Sequence, residues 1–368
     1  MRVIISAGGT GGHIYPALAI INKIKEKEPN SEFLYIGTHN RMEKDIVPKE
    51  GIPFKNIEIY GFNRKQLWKN FKTIKCMIKS YFTCKKIIKE FNPDIVIGVG
   101  GYVTVPVLYT AHKLGYKTVI HEQNSIPGAS NKFIANFADK VLVSLKNSMD
   151  AFDKNKAVYT GNPCSENATN IKPALKSEFG LKTNKKLVLM VFGSLGASVV
   201  SDYIKKHFND FESKDYEVLF STGENIYDEV NKVKHPSNVH IVPYIENMPR
   251  IMKKTDLLVT RAGASTISEI IALGIPSIFI PSPYVPNNHQ FKNAFDLVNE
   301  DAGIIIEEKD LKDNVLVDTI DKVFSDKKLY NNIKKNLSKL KIDDSATLIY
   351  NEIKKLVSDN NGINKGIK

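Results

Sequence analysis

The chain contains little cysteine and tryptophan: three cysteines and one tryptophan among 368 residues. The cysteines, Cys76, Cys84 and Cys164, are odd in number and lack paired ligand spacing, which argues against a disulfide framework or a zinc site. No apolar run approaches the ~20 residues that span a bilayer, and no signal-peptide pattern precedes the first strand. We therefore expect a protein of a reducing compartment, either cytosolic or attached to a membrane from the cytosolic side.

Several motifs that would indicate other chemistries are missing. No Gly-Lys-Ser or Gly-Lys-Thr follows a glycine turn, which excludes a P-loop. A dinucleotide fingerprint would need a third glycine at Ile14 and an acid at the end of the second strand, where residues 35–38 read YIGT. Asp-x-Asp, the usual metal–diphosphate motif of sugar-nucleotide transferases, is also absent, so we predict no metal and no cofactor.

The formal net charge of +12 favours acidic partners, which include phosphorylated substrates, anionic lipid and nucleic acid. No arginine-rich cluster with interleaved aromatic residues marks a nucleic-acid module. We therefore expect phosphate-bearing or lipid partners and no nucleic acid.

Two glycine-rich turns are the most informative features that are present. Residues 7–13 read AGGTGGH and follow the apolar run 3–5, while residues 193–197 read GSLGA and follow the apolar run 187–192. Glycines at such a strand-to-helix turn let an anion approach the free N–H groups of the helix start. Two such turns predict two nucleotide-binding halves that face a shared cleft.

Short apolar runs alternate with helical patterns through both halves, which predicts an α/β protein with two doubly wound parallel sheets. The predicted strands are 2–6, 32–36, 94–99, 118–121, 140–143, 187–192, 216–221, 239–242, 257–260, 277–280 and 304–306. The clearest helices are expected at 14–27, 74–90, 264–272 and 288–299.

A polar turn near residues 159–173 marks the expected linker. We predict one domain over residues 1–162 and a second over 163–345. The remainder, 346–368, is predicted as a helix that packs on one domain, with the first as the candidate, or bridges both, with a frayed tail from residue 359.

Residues 64–89 contain nine cations and no acid, interleaved with large apolar side chains and the single tryptophan. Such a basic amphipathic segment can lie in the headgroup layer of an anionic membrane. The alternative is a surface helix whose apolar stripe faces the sheet and whose lysines are merely solvated.

The ordered set of motifs resembles the MurG family, the peptidoglycan N-acetylglucosaminyltransferases with the two-domain GT-B fold, over nearly the whole chain. The matching segments are residues 8–16, 98–103, 121–124, 161–163, 193–197, 261–269, 281–285 and 287–294. The resemblance implies a hexosyltransferase that moves GlcNAc, with inversion, from UDP-GlcNAc to the MurNAc 4-hydroxyl of lipid I (undecaprenyl-diphospho-MurNAc-pentapeptide), giving lipid II. It also implies a peripheral protein on the cytoplasmic face of the membrane.

The resemblance also implies roles for individual residues. His13 is similar to the proposed catalytic base, and Glu269 to the acid that holds the ribose hydroxyls. The other implied donor contacts are Thr10, Gly11, Gly12, Asn124, Ser165, Ser194, Ile245, Ala264 and Gln290. The implied acceptor contacts are Gly9, Gly100, Gly101 and Tyr102.

Each role has a plainer alternative. His13 could simply hydrogen-bond the turn, and Thr266-x-x-Glu269 is also a capping box. Asn124 could be a turn residue, Gln290 a plain helix N-terminal residue, and Tyr102 a core residue.

Three positions depart from the family pattern, and all three are expected near the donor diphosphate. Ser165 replaces an arginine, Phe192 replaces the first glycine of the donor turn, and Ser198 replaces a basic residue. Arg261 and Arg250 are candidates for compensation. The departures leave open a related glycolipid glycosyltransferase, a UDP-sugar epimerase, or a diverged sugar-nucleotide-binding protein with little activity.

Overall fold

The computed structural model describes residues 1–61, 70–193 and 197–365. The chain divides into two compact units. Unit 1 comprises Met1–Cys164 and Asp344–Lys368, and unit 2 comprises Ser165–Asp343.

Unit 1 is built on a seven-stranded parallel sheet in the order β3-β2-β1-β4-β5-β6-β7. Its strands are β1 (Arg2–Ala7), β2 (Glu32–Thr38), β3 (Phe54–Ile57), β4 (Ile95–Gly100), β5 (Lys117–Glu122), β6 (Lys140–Val143) and β7 (Ala157–Tyr159). The central strands are apolar on both faces because helices cover both sides of the sheet. These helices are α1 (Gly11–Lys27), α2 (Glu43–Lys49), α3 (Asn70–Phe91), α4 (Thr104–Lys113), α5 (Ala129–Ile134) and α14 (Ser345–Lys365).

Unit 2 repeats the plan on a six-stranded parallel sheet in the order β10-β9-β8-β11-β12-β13. Its strands are β8 (Lys186–Val191), β9 (Tyr216–Ser221), β10 (Val239–Val242), β11 (Leu257–Thr260), β12 (Ser277–Phe279) and β13 (Ile304–Ile305). The helix α6 (Cys164–Asn170) starts at the division between the units. The remaining helices are α7 (Ser198–Lys206), α8 (Tyr227–Asn231), α9 (Pro249–Met252), α10 (Ala264–Leu273), α11 (His289–Asn299), α12 (Val315–Ser325) and α13 (Lys327–Leu340).

The predicted α/β class with two parallel sheets is confirmed, and each of the eleven predicted strands is present to within a residue or two at its ends. Two further strands, β3 and β7, were not expected. The backbone of residues 359–365, where the sequence predicts a frayed tail, continues α14. Extending a helix that is already nucleated and packed needs little favourable energy per residue.

The helix α14 belongs to unit 1. Its apolar residues Ile349, Ile353 and Val357 are buried in the core that α1 and β1 also form. Tyr350 donates to Glu28 at 3.0 Å, and Lys354 pairs with the same carboxylate. These contacts attach the C-terminal helix to the N-terminal sheet.

Candidate functional site

In unit 1, the glycine-rich turns follow β1 and β4, the two neighbouring strands between which the strand order reverses. The chain runs from β1 to β2 on one side, and β4 pairs with the other side of β1. In unit 2, β8 likewise lies between β9 and β11. The carboxyl ends of strands at such a reversal form the usual ligand crevice of open α/β sheets.

The first turn, residues 8–12, presents part of its backbone to an incoming anion. Gly8 N–H donates to Gly100 at 3.1 Å and Gly9 N–H donates to the Glu43 carboxylate at 3.1 Å, so both are engaged. The N–H groups of Thr10, Gly11 and Gly12 have no partner within the described residues. Because they open α1, they carry the partial positive charge of the helix start.

The second strand-to-helix turn of unit 1 explains why Gly100 and Gly101 must be glycine. Their φ angles are +115° and +93°, in the region that side chains avoid. A Cβ on Gly100 would lie 2.5 Å from the His13 ring, and one on Gly101 would lie 2.5 Å from the Gly8 carbonyl oxygen. The two turns therefore pack against each other and against His13.

His13 lies in the first turn of α1, as predicted, and is half-buried. Its Nδ1 is 3.1 Å from the Gly8 carbonyl oxygen. Because a carbonyl can only accept, Nδ1 carries a proton, and in the neutral ring the lone pair is then on Nε2. The hydrogen bond to the turn and a role as base are therefore compatible in the neutral ring.

Tyr102 is 53% exposed, so the core alternative for this residue is wrong. Its ring packs over Gly61, where a Cβ would lie 2.7 Å from the ring edge. The side chain is thus available at the carboxyl edge of the sheet, beside Gly100 and Gly101.

Asn124 follows β5, and the buried Glu122 organises its loop. Glu122 accepts from the N–H and side-chain amide of Asn124 at 2.9 and 3.1 Å, from Gly128 N–H at 3.0 Å and from Asn131 at 2.9 Å. Four hydrogen bonds to one carboxylate fix the loop backbone. Asn124 therefore stands on a rigid turn.

Glu269 lies in the second turn of α10, whose N-cap is Gly263. The capping-box alternative is wrong because Thr266 lies inside the helix, two residues after Ala264, and cannot be the N-cap. Burial raises the pKa of the Glu269 carboxyl to about 7. No hydrogen bond reaches this carboxyl from the part of the chain that the structure describes. An unpaired, half-buried carboxyl with a raised pKa is typical of a functional group.

The remaining predicted donor residues occupy distinct places in unit 2. Gln290 is the second residue of α11 and accepts from Ser282 N–H at 2.9 Å, which directs its amide NH₂ group away from that loop. Ile245 is buried after β10, and Ser165 is buried in α6. Ser194 lies outside the described residues.

The two arginines proposed to compensate for the departures from the family pattern are both engaged in other contacts. Arg261 donates to the Ile280 carbonyl at 2.8 Å and pairs with Glu308, while Arg250 pairs with Glu178 at 3.2 Å. Phe192 is buried in the core of unit 2 against Phe220, with ring centroids 6.2 Å apart. The compensation by either arginine is therefore not supported.

The described part of the basic segment, α3, turns its large apolar side chains outward. Its buried face carries small or polar residues (Thr73, Cys76, Ser80 and Cys84) together with Ile88. Its exposed face carries Phe71, Ile74, Met77, Ile78 and Phe82, with exposures from 38% to 84%. The alternative of an apolar stripe facing the sheet is thus wrong for these residues, and residues 64–69, which include Trp68, lie outside the described part.

The described residues contain neither a candidate metal cluster nor a candidate membrane span. No group of three or more His, Cys, Asp or Glu side chains there could hold a metal ion. Of the helices in the same ranges, none has the length and apolarity required to cross a bilayer.

Sequence reasoning missed Glu43. This carboxylate is fully buried beneath the first glycine turn. The only sequence signal is indirect, because Gly8 and Gly37 leave the space that it occupies.

Comparison with protein families covers both units. The glycosyltransferase family 28 N-terminal domain matches residues 3–143, and the family 28 C-terminal domain matches residues 187–349.

Comparison with individual proteins gives full-length matches. The chain is 48% identical over 362 residues to UDP-N-acetylglucosamine--N-acetylmuramyl-(pentapeptide) pyrophosphoryl-undecaprenol N-acetylglucosamine transferase 1 of Bacillus cereus, covering 97% of this chain and 100% of that protein. It is 44% identical over 361 residues to UDP-N-acetylglucosamine--N-acetylmuramyl-(pentapeptide) pyrophosphoryl-undecaprenol N-acetylglucosamine transferase of Bacillus licheniformis, covering 97% of this chain and 99% of that protein. Among solved structures, MurG of Acinetobacter baumannii matches with a TM-score of 0.78 at 24% identity, covering 96% and 99% of the two chains.

Proposed function

Since this chain belongs to the MurG family of glycosyltransferases, we propose that it transfers GlcNAc from UDP-GlcNAc to the MurNAc 4-hydroxyl of lipid I. The product is lipid II, the precursor used for peptidoglycan synthesis. The observation that carries the proposal is 48% identity to a transferase of that name over its whole length.

His13 is the proposed catalytic base. Its Nδ1 proton is held by the Gly8 carbonyl, so Nε2 takes the proton of the acceptor hydroxyl as that oxygen attacks the anomeric carbon of GlcNAc. The C–O bond to UDP breaks as the new bond forms, which inverts the anomeric centre and gives a β-1,4 linkage.

The acceptor diphosphate is assigned to the turns of unit 1. Thr10, Gly11 and Gly12 offer N–H groups that have no partner in the described ranges, and these would also serve the donor. Gly9, Gly100 and Gly101 shape the turns by adopting positive φ. Tyr102 offers an exposed hydroxyl and ring beside them.

The donor is assigned chiefly to unit 2. Ionised Glu269 accepts hydrogen bonds from both ribose hydroxyls, since a carboxylate has two acceptor oxygens. The N–H groups that open α10 at Ala264 stabilise the charge of departing UDP. Gln290 and, from unit 1, Asn124 would bind the GlcNAc hydroxyls, Ile245 the uracil through its backbone, and Ser165 and Ser194 the phosphate side.

The membrane contact is assigned to the exposed face of α3. Phe71, 84% exposed, and Phe82, 62% exposed, would enter the headgroup layer, and Lys75 and Lys79 would pair with anionic lipids. A row of aromatic contacts runs from the exposed Phe82 through the partly buried Tyr81 and Tyr109 to Phe137 and so connects this face to α4. This arrangement supports peripheral attachment at the cytoplasmic face, where UDP-GlcNAc would be available.

The test is transfer of radiolabelled GlcNAc to a lipid I analogue. We expect product from the wild type and a loss of 10²- to 10⁴-fold in kcat for His13→Ala. His235→Ala is a matched control, because His235 also places Nδ1 on a carbonyl, at 2.8 Å, but in a loop before β10.

Each other outcome identifies another function. Transfer to diacylglycerol alone would indicate a related glycolipid enzyme, and isomerisation of UDP-GlcNAc without acceptor would indicate an epimerase. UDP-GlcNAc binding without turnover, unchanged by His13→Ala, would indicate a diverged binding protein.

A further inference from the structure

Glu43 is a buried carboxylate that lies directly under the first glycine turn. It has no exposed surface and is the first residue of α2. Its Oε1 accepts from Thr38 N–H at 2.9 Å and from Thr38 Oγ1 at 2.6 Å, and its Oε2 accepts from Gly9 N–H at 3.1 Å. No cation pairs with it within the described residues, so these hydrogen bonds compensate its burial.

The sheet topology brings the Glu43 carboxylate beneath the first glycine turn. Because β1 and β2 are neighbours, the turn after β1 and the loop after β2 leave the sheet side by side. Two glycines then make room for the side chain: a Cβ on Gly8 would lie 2.6 Å from Glu43 Oε1, and one on Gly37 would lie 2.7 Å from Glu43 Cγ. The carboxylate and the two glycines form one packed unit.

Two hydrogen bonds connect Glu43 to the proposed base. Glu43 holds Gly9 N–H, and the neighbouring Gly8 carbonyl holds the Nδ1 proton of His13 at 3.1 Å. Gly8 N–H is fixed separately by Gly100. The peptide unit between Gly8 and Gly9 therefore carries Glu43 at its N–H end and His13 at its carbonyl end.

We infer that Glu43 is a positioning residue for the glycosyl transfer: it fixes the Gly8–Gly9 peptide so that the Gly8 carbonyl holds His13 in the tautomer with Nε2 unprotonated. The inference rests on the proposed function for its kinetic consequence, but the tautomer can be observed without turnover. Glu43 does not touch substrate and is not a catalytic residue.

The kinetic test is a double-mutant cycle between Glu43→Gln and His13→Ala in the lipid I transfer assay. Glutamine keeps the volume but can offer only one acceptor oxygen, so either Gly9 or Thr38 loses its acceptor. We expect Glu43→Gln to lower kcat 10- to 100-fold in the wild type and less than 2-fold in His13→Ala. Equal losses in both backgrounds, or no loss in the wild type, would overturn the inference.

Asp139→Asn is the matched control. Asp139 also accepts from a threonine N–H and hydroxyl, at 2.8 and 2.9 Å from Thr118, but before β6, away from the glycine turns. We expect less than a 2-fold change in kcat. If Glu43→Gln fails to fold, Thr38→Val replaces it in the cycle, because it removes one donor to Oε1 and leaves Gly9 bound; a 3- to 10-fold loss that vanishes with His13→Ala is then expected.

The second readout is the ¹⁵N spectrum of histidine-labelled protein, with the His13 signals identified by their absence in His13→Ala. We expect Nδ1–H in the wild type and a mixture of tautomers in Glu43→Gln. An unchanged tautomer would overturn the inference whether or not the protein transfers GlcNAc. Absence of transfer by the wild type, with the tautomer shift present, would instead reject only the proposed function.

Discussion

At the scale of the residue, Glu269 combines two opposing requirements. Burial raises the pKa of its carboxyl to about 7, which favours the neutral form. The proposed contact with two ribose hydroxyls needs the ionised form, since a protonated carboxyl keeps fewer acceptor sites. Donor binding should therefore remove a proton from Glu269 at neutral pH.

This gives a pH dependence of UDP-GlcNAc affinity. Below pH 7 the neutral form dominates, and each bound donor requires a deprotonation, so the Kd should rise about tenfold between pH 8 and pH 6. The measurement is calorimetric titration of UDP-GlcNAc at pH 6, 7 and 8. Its diphosphate diester does not titrate in this range.

Two variants test whether Glu269 is the group that causes this pH dependence. Glu269→Gln should bind weakly at every pH and show little slope, because no proton is released. Glu212→Gln, an exposed glutamate elsewhere in unit 2, should keep the wild-type slope. A slope that persists in Glu269→Gln would assign the pH dependence to another group.

Single residues also show which positions and roles could be predicted from the sequence and which could not. The position of His13 follows from the glycine turn, because a strand followed by glycines fixes where a helix starts. The capping reading of Thr266 failed because Gly263, which has no side chain to cap with, is the N-cap. The role of Glu43 was missed, since its partners Gly9 and Thr38 become neighbours only through the pairing of β1 with β2.

At the scale of the element, the described strands show which sequence patterns are sufficient to predict a strand. Central strands such as β4 and β9 are fully buried and mostly apolar, and both were predicted. The two missed strands, β3 and β7, are the two edges of the first sheet. Edge strands are short and partly solvated: β3 (FKNI) has two polar residues at its centre, and β7 (AVY) is only three residues long.

The helix α3 has the reverse of the usual arrangement, with small residues inward and large apolar residues outward. Phe82→Glu should therefore leave folding intact and weaken binding to vesicles that contain phosphatidylglycerol by about 30-fold, because burial of a phenylalanine stabilises by roughly 2 kcal/mol. The measurement is vesicle co-sedimentation, with far-UV circular dichroism to check folding.

The matched control for the membrane prediction is Leu175→Glu, which places the same charge on another exposed apolar residue, 65% exposed, in unit 2. It should bind vesicles like the wild type. Neutral phosphatidylcholine vesicles separate the apolar from the charged contribution, since only anionic lipid attracts Lys75 and Lys79. Equal loss in Phe82→Glu and Leu175→Glu would remove α3 from the membrane contact.

At the scale of the whole molecule, the same sheet plan occurs twice, with the strand order reversing at β1 in the first sheet and at β8 in the second. The sequence was sufficient to predict this plan because each glycine-rich sequence directly follows the apolar run of its strand. The bonds from Tyr350 and Lys354 to Glu28 span more than 320 residues, and only the folded chain shows them.

The attachment of α14 to unit 1 gives the last prediction. Ile353 is fully buried with α1 and β1, so Ile353→Ala should lower the free energy of unfolding of unit 1 by about 2–5 kcal/mol through lost burial and a cavity. Hydrogen exchange read by mass spectrometry should then speed up in peptides from residues 1–164 and 344–359 and stay unchanged in 165–343. Leu337→Ala, which removes an equally buried side chain from α13 in unit 2, should give the opposite pattern. Faster exchange throughout the chain in both variants would mean that the two units unfold as one, so that α14 stabilises the whole protein and not unit 1 alone.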